Sequence, residues 1–280
     1  MQVVHTISDL RHAVEKVRKA SLSIGLVPTM GCLHEGHLSL IKKAKVESSF
    51  VVVSIFVNPT QFAPHEDFSK YPRTLAEDQV LCEKSGADLI FAPTTENFYA
   101  ANASTWVDVE KVSDGLCGTF RPGHFRGVAT VVAMLFNAVQ PQVAVFGRKD
   151  LQQLAVIQRM VRDLHFPIKI IAHETIREPN GVALSSRNRY LSAAELKQAA
   201  IIPAALQKAK SLFQSGEKRS SVILAAARDC LAIEPSIVLQ YLTIVDRDSM
   251  AVVEAVTADH CTIALACHLG KTRLIDNLDL

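Results

Sequence analysis

At 280 residues, with 49% hydrophobic and 21% charged side chains, the chain is long enough for more than one domain and too apolar to be intrinsically disordered. Its 30 basic and 28 acidic residues leave a formal charge of +2, which argues against nucleic acid as a partner, since phosphate backbones call for a concentrated basic face. The 6 cysteines form no C-x-x-C pair, the N-terminus MQVVHTISDL lacks the order of a signal peptide, and no apolar run reaches the ~18 residues of a membrane span; a cytoplasmic protein with reduced thiols and no membrane partner is expected.

Apolar runs suited to buried parallel strands occur at Ser23–Val27, Phe50–Val57, Ala87–Ala92, Val143–Phe146 and Ile168–Ile171. Between and around them lie stretches with apolar residues near helical spacing, Ser8–Ala20, His37–Val46, Leu75–Ser85, Phe125–Val139 and Leu151–Leu164. This alternation predicts an α/β fold, a Rossmann-like wound parallel sheet, with ligands sought beyond the carboxyl ends of its strands. The pattern changes near Ile176. Ser192 and Glu195 have the spacing of a capping box opening one long helix to about Phe213; a helix over Ser220–Leu231 and strands at Val238–Val245, Cys261–Cys267 and Thr272–Ile275 follow. The expectation is two domains, residues 1–176 and a smaller C-terminal α+β lid domain, residues 177–280.

Five polar clusters stand at strand ends or in loops, the second of them followed by a short YPRT segment. VPTMGCLHEGHL (27–38) puts His34 and His37 on one face of a first helical turn, where free backbone N–H groups and imidazole donors together suit an anionic oxygen, phosphate above all. A metal pair and two surface histidines are the bland alternatives. SIFVNPTQF (54–62) sets Asn58 and Gln61 past an apolar strand, either as uncharged readers of a small polar acid or as a plain Asn-Pro turn. YPRT (71–74) leads into a helix carrying Glu77 and Asp78, acids that could meet Mg²⁺ or face solvent. CGTFRPGHFRG (117–127) crowds Arg121, His124 and Arg126 into a Gly-rich loop suited to carboxylate or phosphate, or into a basic surface turn. VAVFGRKDLQQ (143–153) offers Lys149 to a phosphate, Asp150 to ribose hydroxyls and Gln153 one turn further on; Asp150 could instead be only a helix cap. GVALSSRNR (181–189) gathers hydroxyls and guanidiniums in a loop that could close on a triphosphate.

In order and over most of the chain, these motifs and the terminal TRLIDN (272–277) resemble the pantothenate synthetase (pantoate–β-alanine ligase) family, of the HxGH nucleotidyltransferase-like superfamily. The resemblance implies an ATP-dependent ligase that condenses (R)-pantoate with β-alanine to pantothenate through a pantoyl-adenylate, releasing pyrophosphate and AMP, a step toward coenzyme A. It implies an ATP site at Met30, Gly31, Cys32, Leu33, His34, Glu35, Gly36, His37, Gly147, Arg148, Lys149, Asp150, Ile176, Leu184, Ser185, Ser186 and Arg187. Among these, His37, His34 and Lys149 are the expected catalytic groups. Gln61 and Gln153, with Asn58, Tyr71 and Arg121, are expected around the substrates, and Asp78 at a Mg²⁺ ion. A homodimer is implied as well. Arg148 departs from the family's usual glutamate, and Cys32 stands where alanine is common. Two rival readings remain, a nucleotidyltransferase or aminoacyl-tRNA-synthetase-like protein and a catalytically silent ATP-binding sensor.

Overall fold

A computed structural model describes residues 1–64, 66–257 and 260–280. Its strands are β1 (Gln2–Val4), β2 (Ile24–Thr29), β3 (Phe50–Ile55), β4 (Leu89–Phe91), β5 (Val143–Gly147), β6 (Lys169–His173), β7 (Ile237–Asp246), β8 (Cys261–Leu269) and β9 (Thr272–Asp279). Its α-helices are α1 (Ile7–Lys19), α2 (Glu35–Glu47), α3 (Leu75–Lys84), α4 (Thr95–Phe98), α5 (Cys117–Phe120), α6 (His124–Val139), α7 (Leu151–Asp163), α8 (Ala193–Gln198), α9 (Ile201–Gln214) and α10 (Ser220–Leu231).

The chain divides into two compact units. The first comprises Met1–Glu110, Gly118–Gly147 and Val156–His173; the second comprises Lys111–Cys117, Arg148–Ala155 and Glu174–Leu280. Two internal segments also join the second unit, so the division is not a single cut in the chain.

The first unit is a six-stranded parallel sheet in the order β1-β4-β3-β2-β5-β6. Strand order reverses between β2 and β5, and in wound sheets this switch point opens the crevice where ligands bind. β2 and β3 are apolar on both faces because helices cover both, and Val27, Val51, Val53, Ile90 and Val145 form one continuous core with Leu38, Ile41 and Ala44 of α2. β1 has only 3 residues, too few to show a periodicity, and it joins the sheet as the edge partner of β4.

The second unit packs α9 and α10 against an antiparallel sheet in the order β7-β8-β9. Its core gathers Ile202, Leu206, Ile223, Ala227, Ile244, Ile263 and Leu265. The capping box forms as the spacing predicts, Ser192 Oγ accepting from the Glu195 amide at 3.2 Å and the Glu195 carboxylate accepting from the Ser192 amide at 2.8 Å. The single long helix expected there is in fact two, α8 and α9. Pro203 explains the break. It has no N–H to give the carbonyl four residues back, and its ring would collide with that carbonyl, so it is tolerated only within a first helical turn.

Candidate functional site

Two turns of the first unit hold several of the residues expected at the site. After β2 the chain turns through Gly31, whose φ of +79° is the left-handed conformation glycine adopts without strain. The turn is fastened from below by Asp78 of α3. Its two carboxylate oxygens accept the backbone N–H of Cys32 at 2.9 Å and of Leu33 at 2.8 Å, and Thr74 Oγ1 donates to it at 3.2 Å. Asp78 is only 1% exposed. The expectation of a Mg²⁺ ligand is therefore corrected: this carboxylate neutralises two otherwise orphaned amides beneath the loop and faces no solvent. Among the described residues, no group of three or more His, Cys, Asp and Glu side chains is arranged to hold a metal ion.

The fastened turn delivers the two histidines to the start of α2. His34 is the N-cap, its Nδ1 accepting from the Gly36 amide at 3.1 Å, and His37 Nδ1 accepts from the His34 amide at 3.3 Å. The rings lie 4.1 Å apart. A ring nitrogen that accepts an N–H carries no proton, so each imidazole must keep its proton on Nε2. Both histidines thus present Nε2–H donors at a helix N-terminus, where the backbone dipole already favours negative charge. These bonds are not what a histidine metal pair would need in order to fix its orientation. They are what two oxyanion donors would need.

The turn after β3 carries the amides. Asn58 is 1% exposed and Gln61 is 8% exposed. Asn58 Oδ1 caps the short Pro59–Gln61 helix by accepting from the Thr60 amide at 3.3 Å, and it also accepts from Tyr99 Oη at 2.9 Å. Its Nδ2 donates to Gln61 Oε1 at 3.0 Å and to the Gly127 carbonyl at 3.2 Å. Gln61 Nε2 in turn reaches Met30 Sδ at 3.2 Å, which ties the amide turn to the histidine loop. The other side of the turn is the N-terminal part of α6. Gly127 is obligatory there, because a Cβ on it would stand 2.4 Å from the Thr60 carbonyl oxygen.

Arg121, expected among substrate contacts, has another task. Its Nε and Nη2 make a bidentate pair with Glu66 at 2.6 and 2.8 Å, and its Nη1 reaches His124 Nε2 at 3.0 Å. His124 Nδ1 meets the Gln61 carbonyl at 2.8 Å, which requires the proton on Nδ1 and leaves Nε2 to accept from Arg121. The chain Glu66–Arg121–His124 therefore braces the backbone of Gln61. Burial would raise the Glu66 carboxyl, but the Arg121 hydrogen bonds and charge outweigh it and hold the group below the usual carboxylate range. Tyr71, also expected at the substrates, is 5% exposed, with its ring edge-on to Phe62 at 6.0 Å. Arg126 lies over the Trp106 ring at 4.7 Å, so the basic loop is largely committed to structure.

The second unit holds the remaining candidates apart from Gly147, the last residue of β5. β5 ends at Gly147, and Arg148–Asp150 form a short 3₁₀ turn before α7, with Lys149 half-buried and Asp150 exposed. The Arg148 side chain pairs with Asp279 and lies 3.5 Å from Glu174. Its carbonyl and that of Lys149 both accept from Asn277 Nδ2, at 3.0 and 2.9 Å. Gln153 is half-buried; its neighbour Gln152, absent from the expected set, is the buried one, accepting from the Cys117 amide at 3.0 Å and donating to the Val112 and Gly115 carbonyls at 3.0 and 2.7 Å. Ile176 and Leu184 are brought together by the Leu184 amide donating to the Ile176 carbonyl at 2.9 Å, and Arg177 locks this hairpin to Asp276 at 2.7 and 2.9 Å. Ser185 then caps the Ser186–Tyr190 turn, accepting from the Arg187 amide at 3.3 Å, with Ser186 buried. No simple sequence signal marks Glu66, Gln152 or Asn277 as supports, because each acts on a partner far along the chain.

The comparisons with known proteins agree with this architecture. The model of the pantoate-beta-alanine ligase family matches residues 2–279. A pantothenate synthetase of Thermoanaerobacter sp. (strain X514) is 50% identical over 278 residues, covering 99% of this chain and 98% of the relative. The crystal structure of pantothenate synthetase from Thermus thermophilus superposes with a TM-score of 0.94 at 43% identity, covering 100% of this chain and 99% of that one. A pantoate-beta-alanine ligase from Francisella tularensis, complexed with beta-gamma ATP and beta-alanine, superposes with a TM-score of 0.81 at 33% identity over 99% of this chain and 97% of its own. With its fold and nearly its whole length matched, the chain belongs to the pantoate-beta-alanine ligase family.

Proposed function

We propose that this chain condenses (R)-pantoate with β-alanine in two steps, spending ATP and passing through a pantoyl-adenylate. The observation that carries the reading is the tautomeric lock on His34 and His37, which turns both imidazoles into Nε2–H donors at the start of α2 in a chain of this ligase family. In the first step a pantoate carboxylate oxygen attacks the α-phosphorus of ATP and pyrophosphate leaves. Negative charge grows on the phosphoryl oxygens, and donors already fixed in place stabilise it without further reorganisation. His34 and His37 take this role, together with the ammonium of Lys149. In the second step the β-alanine amine attacks the acyl carbonyl, the C–O bond to phosphate breaks, and AMP departs.

Met30 through His37, Gly147 through Asp150, Ile176 and Leu184 through Arg187 are assigned to the nucleotide, with Asp150 toward the ribose. Gln61 and Gln153, aided by Asn58, are assigned to pantoate. Carboxamides suit this task because they read a hydroxyl and a carboxylate without adding a charge that would have to be desolvated. The bracing of Gln61 through Asn58, Met30 and His124 supports its part, since substrate orientation is worth most when the orienting group is itself rigid. Mg²⁺ is proposed to enter with ATP, held by phosphate oxygens and water as this hard ion prefers. A homodimer and a cytoplasmic setting complete the proposal; all 6 cysteines are free thiols, which suits a reducing compartment.

The test is pyrophosphate release from the chain with ATP, Mg²⁺ and a panel of small acids. Release that depends on pantoate, with AMP set free only after β-alanine is added, is the expected result. His37→Ala should lower kcat for the first step by about 10²–10³, the scale of one lost transition-state donor. Gln61→Ala should raise the pantoate KM far more than the ATP KM. Unchanged adenylate formation in His37→Ala would refute the role given to the histidines.

A further inference from the structure

Strand β9 lies against both short turns of the second unit that are assigned to the nucleotide, Arg148–Asp150 and Ser186–Tyr190. Its contact with the first is specific. Asn277, 7% exposed, spends the two N–H bonds of its carboxamide on two successive carbonyls, Arg148 O at 3.0 Å and Lys149 O at 2.9 Å. Since both partners can only accept, the amide orientation is fixed, with nitrogen toward the turn. Two positions further along β9, the Asp279 carboxylate takes the Arg148 side chain, and it is itself held by Arg247 at 2.8 Å and by the Thr262 hydroxyl at 2.6 Å. The backbone and one side chain of the turn are thus fastened to the same strand.

We propose that Asn277 is a positioning residue for the Lys149 turn: by holding two consecutive carbonyls it fixes the direction in which the Lys149 ammonium leaves the backbone. The proposal rests on the reading of Lys149 as a phosphate ligand. A 3₁₀ turn leaves carbonyls without internal partners, and a turn whose carbonyls were met only by water could rotate its peptide planes and with them the lysine. Two donors on one rigid amide remove that freedom. Arg148 then contributes a second tether through its side chain. Its charge is met there by Asp279.

The experiment compares Asn277→Asp, Asn277→Ala and Lys149→Ala, alone and with Asn277→Ala added to Lys149→Ala, in steady-state pyrophosphate release with thermal melting alongside. Asparagine and aspartate have the same shape, so a space-filling role predicts that Asn277→Asp behaves as wild type. The positioning role predicts instead that the carboxylate repels the two carbonyls. On that account kcat/KM for ATP falls by about 10- to 50-fold in the Ala variant, the scale of two hydrogen bonds, and further in the Asp variant, while the pantoate KM moves by less than about threefold. In the double variant, Asn277→Ala should cost less than about threefold beyond Lys149→Ala, because two groups acting as one unit do not add. Should Asn277→Asp melt below the assay temperature, this cycle decides on the Ala background. A wild-type-like Asn277→Asp, equal losses toward both substrates, or full additivity would overturn the proposal. Wild-type chain that releases no pyrophosphate would instead strike down the functional reading on which it rests.

Discussion

Replacing Asp78 by asparagine tests how the histidine loop is held. The wild-type carboxylate accepts from two buried amides, Cys32 N–H at 2.9 Å and Leu33 N–H at 2.8 Å. In Asp78→Asn one of these acceptors becomes an NH₂ group, so one charge-assisted bond worth about 1.5–3 kcal/mol is lost and a buried N–H faces another donor at a cost of about 1–3 kcal/mol. The sum, about 2.5–6 kcal/mol, is softened wherever the loop can shift to reach water, so a fall of roughly 5–15 °C in Tm is expected at the ~2–4 °C per kcal/mol usual for chains of this size. Because the same loop carries His34 and His37, kcat should drop about tenfold or more, the usual consequence of misplacing a preorganised donor. The Mg²⁺ concentration giving half-maximal rate should stay where it is. Thermal melts and a Mg²⁺ titration of the rate read both quantities. An unchanged Tm together with a Mg²⁺ requirement raised tenfold or more would refute this reasoning and restore Asp78 as a metal ligand.

Three further outcomes are expected. Gly127→Ala would place a methyl group 2.4 Å from the Thr60 carbonyl oxygen, so the Pro59–Gln61 turn must move; stability should fall by about 1–3 kcal/mol in chemical denaturation and the pantoate KM should rise. Glu66 has a folded pKa below its unfolded value, so its stabilising contribution is complete above about pH 5 and is lost as pH falls through the folded value; Glu66→Gln should flatten that part of the acid unfolding curve and lower stability by about 1–3 kcal/mol at pH 7. Arg148→Glu sets a carboxylate against Asp279 and should lower Tm by a few degrees. Its kcat should stay within about threefold of wild type, since Asn277 still holds both carbonyls of the turn.

The wound sheet was legible because buried parallel strands and amphipathic helices write their periods locally. β2, β3, β5 and β6 fall within a few residues of the apolar runs that announce them, and the Ser192–Glu195 box marks the start of α8. What local pattern could not show is which distant residue meets which. Asp78 lies 46 residues from Cys32, Glu66 lies 55 from Arg121, and Asn277 lies 128 from Lys149, so an acid on a helix and an arginine in a loop each looked available for a ligand, and nothing local singled out the amide in the strand. The same limit separates Gln152 from Gln153. Adjacent glutamines on one helix point about 100° apart, and only the fold decides which is buried among carbonyls. The histidines were the exception, since a cap at His34 and its partner at His37 interact across a single helical turn and spacing alone joins them.

Acyl-adenylate chemistry is tested most directly by following oxygen. Pantoate labelled with ¹⁸O in its carboxylate, turned over with ATP, Mg²⁺ and β-alanine, should transfer one label to the phosphate of AMP, because the attacking oxygen stays with phosphorus when the amine displaces the nucleotide. Mass spectrometry of AMP and pyrophosphate reads the outcome. Label in AMP and none in pyrophosphate is the expected result; label in neither, or ADP and phosphate in place of AMP and pyrophosphate, would contradict it.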